Sequence, residues 1–111
     1  MNKRKVLLFG VLLSMLLLAT AVSVTSAEPV SEKNTVLIQG YSFQPPEITI
    51  QKGETITWIN KDSASHDVKG SFFYSGILRE GQSFQQTFHD AGTFDYSCSL
   101  HPGMKGRVIV Q

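Results

Sequence analysis

A single cysteine, Cys98, in 111 residues excludes an intramolecular disulfide. No charged residue stands between Lys5 and Glu28. Nowhere does the chain offer ten residues of helical periodicity, which argues against a helical bundle. A strong excess of either charge is also missing. Seven of the 10 Lys and Arg and all 9 Asp and Glu lie beyond Ala27, leaving residues 28–111 with a formal charge of −2. A nucleic-acid partner is not expected from so mild a balance.

The uncharged run has its own reading. Lys3, Arg4 and Lys5 precede an apolar stretch from Val6 to Leu18, and small residues follow at Ala19, Ala21, Ser23, Thr25, Ser26 and Ala27. This order of basic, apolar and small residues predicts a secretory signal over 1–27, cut after Ala27. If uncleaved, the same 22 residues are long enough to anchor the chain in a bilayer. No cysteine ends the run, so a lipoprotein anchor is not indicated. Either reading places the remainder in the periplasm or outside the cell, touching a membrane only if the segment stays attached.

Residues 28–34 are polar and read as a flexible lead-in, and 35–111 as one domain. A domain of this size buries only about 60 % of its unfolded surface and is marginal without a staple. With no disulfide available, a metal is the expected staple. So short a chain also has little room for both a core and a substrate cleft, so an enzyme is not expected; the domain reads as a monomer.

Beyond the lead-in, apolar residues recur with period 2. Val36 and Ile38, Ile48 and Ile50, Ile56 and Trp58, Phe84 and Phe88, Phe94 and Tyr96, and Val108 and Val110 each mark a half-buried strand. Gly and Pro turns separate them, among them Pro45-Pro46, Lys52-Gly53 and Asp90-Ala91-Gly92. The pattern predicts an all-β sandwich or small barrel. Lys61–Gly81 is too long for a plain connection, and short strands are expected within it near 67–69 and 72–74.

Chemistry concentrates in Cys98-Ser99-Leu100-His101-Pro102-Gly103-Met104. Thiol, imidazole and thioether follow one another at intervals of three, a spacing that lets a tight loop turn all three toward one point. Two histidines and a cysteine with a weak axial methionine are the donors of an electron-transferring copper site, whereas zinc has little use for a thioether. A second histidine is needed, and His66 and His89 are the two available. His89 lies at the opposite end of the strand that leads to Cys98, about 17 Å away along the rise of the strand. His66 opens at the same end as Cys98, provided the intervening loop adds no odd strand. The expected set is therefore His66, Cys98, His101 and Met104 around one copper per chain. Copper storage or delivery would use the same ligands. A Cys-His hydrolase lacks any visible oxyanion site.

Gly40-Tyr41-Ser42-Phe43 through Pro46, Lys52-Gly53-Glu54-Thr55, Thr57-Trp58-Ile59-Asn60, His66 and Ala91-Gly92-Thr93-Phe94-Asp95-Tyr96 before the ligand segment resemble the cupredoxins of the plastocyanin and amicyanin type. The resemblance covers residues 35–111, and Pro102 directly after His101 is most similar to amicyanin. It implies a Greek-key β-sandwich with type 1 blue copper at one end and one-electron transfer with redox protein partners docking near His101. It implies His66, Cys98 and His101 as strong ligands and Met104 as the axial one. One position departs: the family carries Asn after the first ligand histidine, and here that residue is Asp67. A carboxylate so close to copper is expected to favour Cu(II).

Overall fold

The computed structural model describes residues 33–111. The expected leader or anchor, and residues 28–32 of the lead-in, lie outside them. Lys33 and Asn34 already belong to the folded body, since Thr57 donates its N–H to the Asn34 carbonyl at 3.0 Å and Lys33 pairs with Glu54 at 3.1 Å.

Seven strands and, among the described residues, no helix make up the domain: β1 (Thr35–Ile38), β2 (Phe43–Gln44), β3 (Glu47–Ile50), β4 (Thr55–Asn60), β5 (Ser83–Thr87), β6 (Gly92–Cys98) and β7 (His101–Val110). They form two sheets, ordered β2-β1-β4-β5 and β3-β7-β6. Parallel pairing of β1 with β4 and of β3 with β7 joins antiparallel neighbours in both sheets. The sandwich expected from period-2 alternation is what forms.

Alternation explains the core directly. In β4, Ile56, Trp58 and Asn60 point inward and are fully buried, while Thr57 and Ile59 between them are not. Trp58 sits at the centre, stacked on Phe73 with ring centroids 5.9 Å apart and edge-on to Tyr96 at 5.4 Å. Neither the Trp58 indole nitrogen nor the Tyr96 hydroxyl has a hydrogen-bond partner of good geometry. Burial pushes the Tyr96 phenol up to about 12, the nearby Trp58 indole offsetting only a little of it. Tyr96 faces Gly106 across the β6–β7 pair, and a Cβ at that glycine would overlap the phenol ring.

Asn60 ends β4 and aims the segment after it. Its buried amide donates to the carbonyls of Ala64 and Leu78, each at 2.9 Å, and its side-chain oxygen accepts the Asp62 N–H at 2.9 Å. The chain is thereby turned back across the end of the sandwich. The strands expected near 67–69 and 72–74 do not form: only isolated bridges occur, Lys69 with Tyr74 and with Ser97, and His66 with Leu78. Gly70 and Phe73 explain this, because the tight turn between them closes on a 2.9 Å backbone hydrogen bond and folds the Phe73 ring under the glycine. This segment therefore adds no strand to either sheet.

Candidate metal centre

Cys98 closes β6 and His101 opens β7, and the two are direct cross-strand partners. The tight loop expected here takes the form of a hairpin with a two-residue turn, Ser99-Leu100. Pairing then jumps, since Ser97 faces Lys105. Pro102, Gly103 and Met104 are left without partners on β6, and this bulge carries Met104 onto the inner face, where it is buried. Bulges of this kind re-aim side chains beside functional sites.

His66 reaches the same place from the segment after β4. Its Nδ1 lies 3.1 Å from Nδ1 of His101 and 3.9 Å from Cys98 Sγ, and the third side, His101 Nδ1 to Cys98 Sγ, is 3.7 Å. A triangle with these sides has one point about 2 Å from all three atoms, the length of a metal–nitrogen or slightly compressed metal–sulfur bond. The donor set thus fits a single metal ion. His89, by contrast, is exposed in the turn between β5 and β6 and belongs to a separate surface depression with Phe72, Phe88 and Phe94. Among the described residues, His66, Cys98 and His101 form the one cluster able to hold a metal through His, Cys, Asp or Glu.

The surrounding groups prepare these atoms. Asp62 Oδ2 lies 2.8 Å from Nε2 of the fully buried His66. That contact puts the ring proton on Nε2 and leaves the Nδ1 lone pair facing the cluster, the usual way an outer carboxylate orients a ligand histidine. Asp62 also accepts the N–H groups of Gly40 at 2.8 Å and Tyr41 at 2.9 Å. Partial burial pushes its carboxyl up, but the donors Tyr41 and Gly40, then His66, outweigh this and hold it below the usual range. The Asp67 N–H points at Cys98 Sγ, 3.4 Å away, and the Asp67 side chain accepts the Ser99 N–H at 2.6 Å and the Ser99 hydroxyl.

Sequence reasoning passes over three of these residues as parts of the site. Tyr41 stands over both histidines, its ring edge-on to His66 at 5.0 Å and to His101 at 4.8 Å, with φ of 56°. A bulky side chain at positive φ is strained, and the hydrogen bonds that the Gly40 and Tyr41 N–H groups donate to Asp62 hold it there. Asp62, four residues before His66, had a spacing signal that was open to reading; Tyr41 and Ser99 had none. Arg107 donates to Asp95 at 2.7 Å and is locally neutralised, while Lys105 and Lys69 flank Ser97 beside the site.

The family model for the cupredoxin-like domain matches residues 11–110. Amicyanin of Paracoccus denitrificans is 34% identical over 96 residues, covering 78% of this chain and 71% of the relative. Amicyanin-alpha of Methylorubrum extorquens is 37% identical over 86 residues, 68% of this chain and 70% of the relative. Plastocyanin of Scenedesmus fuscus is 34% identical over 84 residues, 62% and 86% respectively. A solved reduced Cu(I) form of an amicyanin variant superposes with a TM-score of 0.70 at 31% identity, over 76% of this chain and 87% of that one. Fold, donor cluster and matched length agree, and the chain belongs to the cupredoxin family.

Proposed function

We propose that this chain is a one-electron carrier in which His66, Cys98 and His101 hold a single copper ion, with Met104 as its weak axial ligand. The observation that carries the reading is the triangle of two imidazole nitrogens and one cysteine sulfur, whose sides of 3.1, 3.9 and 3.7 Å put all three atoms about 2 Å, a metal–ligand bond length, from one point. Copper supplies the redox couple Cu(II)/Cu(I), and soft sulfur donors suit it. The chain's own contribution is rigidity. Cys98 and His101 are fixed by strand pairing, and His66 is fixed by backbone bonds to Leu78 in both directions, at 3.1 and 2.7 Å. Donors locked in this way cannot follow the different geometries the two oxidation states prefer, which keeps reorganisation small. The protein is a carrier and not an enzyme.

The surface supports a docking role for the edge of His101. Leu100 is 45% exposed, Tyr41 is 53% exposed, and Pro102 and Gly103 complete an uncharged rim around the half-buried imidazole. Electron-transfer encounters use small interfaces of this sort. Lys105 at the margin favours a partner with acidic residues beside its own redox centre. A periplasmic or extracellular location follows from the leader-like residues 1–27.

The test is titration of the protein with Cu(II). An intense blue thiolate-to-copper band at one copper per chain is expected, lost in Cys98→Ser and in His66→Ala but unchanged in His89→Ala. A colourless one-to-one complex of the unmodified protein would refute the carrier reading.

A further inference from the structure

His66 and His101 turn the same atom toward the cluster, Nδ1, which lies 3.9 and 3.7 Å from Cys98 Sγ in the two residues. On their outer sides they are held differently. Nε2 of His66 meets Asp62 at 2.8 Å, whereas among the described residues no hydrogen-bond partner stands at Nε2 of His101. A ligand histidine ordinarily has its outer nitrogen tied to an acceptor, which fixes the plane of the ring. Without such a tie the plane is loosely set, because χ2 of histidine is a soft torsion. Against the His101 ring stands Tyr41 instead, its centroid 4.8 Å away and its plane at 80°. Near-perpendicular packing at this distance is a favoured arrangement of two aromatic rings.

Three features tie Tyr41 to that contact. Its φ is 56°, directly after Gly40 at 65°, and a second glycine would take this conformation without strain. Its ring is half exposed, so burial in the core does not account for it. Among the described residues its hydroxyl makes no hydrogen bond, and the aromatic rings it meets are the two histidines alone. Strained residues persist where their surroundings over-determine them, and they gather at functional sites. Here the determinant is Asp62, which accepts the Tyr41 N–H at 2.9 Å. One carboxylate thus acts on His66 directly and on His101 through the ring it pins.

Resting on the copper reading above, we propose that Tyr41 is the positioning residue of His101, its ring fixing the plane of the imidazole in place of an outer hydrogen bond. A ring contact does this without covering the Nε2 edge that the docking rim surrounds. The experiment compares the unmodified protein with Tyr41→Phe, Tyr41→Gly and Tyr41→Asn. Two quantities are measured: proton NMR linewidths of the histidine rings in the diamagnetic Cu(I) form at alkaline pH, and the Cu(II) dissociation constant by chelator competition. Tyr41→Phe keeps the ring and should match the unmodified protein in both. Tyr41→Gly suits the positive φ but lacks the ring. Its blue band should persist, and its His101 ring signals should broaden while those of His66, still held by Asp62, stay sharp. Its Cu(II) dissociation constant should rise by about two- to tenfold, the weight of one aromatic contact. If Tyr41→Gly does not fold, Tyr41→Asn gives the same comparison, since asparagine also tolerates positive φ.

Sharp His101 signals with unchanged affinity in the ringless variants overturn the proposal and leave the copper reading standing. Equal broadening of both histidines also overturns it, because Tyr41 then supports the site as a whole. So does a weakened Tyr41→Phe, because the hydroxyl is then the group that acts. Absence of the blue band from the unmodified protein overturns the copper reading and this inference together.

Discussion

Asp62 shows how much one carboxylate can organise at the residue scale. It orients His66 through Nε2 and pins the strained Gly40-Tyr41 turn that lays an aromatic ring across both histidines. Truncation to alanine releases both at once. Asp62→Ala is expected to weaken copper binding by about 10- to 100-fold, the usual cost of losing an outer partner of a ligand histidine. Competition against a chelator of known affinity measures it, and an unchanged affinity would show that strand geometry alone sets the His66 ring. His66 itself was readable from strand parity, because the alternating up and down directions of successive strands put the end of β4 and the end of β6 on the same side of the domain. Tyr41 was not, since nothing in a local pattern reveals which distant rings a turn residue will meet.

Among the elements, the β6–β7 hairpin matters most. It holds two strong donors in register and forces the bulge that turns Met104 inward. It also needs the close approach of Tyr96 to Gly106, where no Cβ fits without displacing the phenol ring from the packed centre. Gly106→Ala should therefore destabilise the metal-free domain by about 3 kcal/mol, the upper part of the range for overpacking a dense core. Urea unfolding would register this as a lower midpoint at unchanged slope. A loss below about 0.5 kcal/mol, the range of neutral surface substitutions, would mean that Tyr96 has room to move. The strands of this element were plain from Phe94 and Tyr96 and from Val108 and Val110. Its turn was not, because spacings of three fit an open loop and a bulged hairpin equally well.

For the whole molecule the issue is stability. The domain has no disulfide, and its described residues include only two Lys/Arg salt bridges, both with exposed cations, and exposed pairs contribute little. Metal binding is linked to folding, because the donors converge from the segment after β4, from β6 and from β7 and exist as a site only in the native state. With free copper a thousandfold above its dissociation constant, linkage adds about 4 kcal/mol. For a domain of this size that raises Tm by roughly 15–30 °C. Calorimetry of the metal-free and copper-loaded forms checks this, and Cys98→Ser should lose most of the rise. Equal Tm values with and without copper would show that the site contributes nothing to holding the sheets together.

The sequence by itself determined the class of fold and the chemistry of the donors. Both are local properties: period-2 alternation follows from the pleat of a strand, and the softness of a thiolate and a thioether belongs to the residues themselves. Tertiary structure decided which groups surround and hold those donors. Asp62, Ser99 and Tyr41 are polar or turn residues whose local sequence allows many surroundings. Their roles arise when Asn60 folds the segment after β4 over the end of the sandwich and brings it against β6. Contacts between residues some thirty positions apart, such as the Asp67 amide on Cys98 Sγ, are set by how two sheets pack, and no period in the chain encodes them.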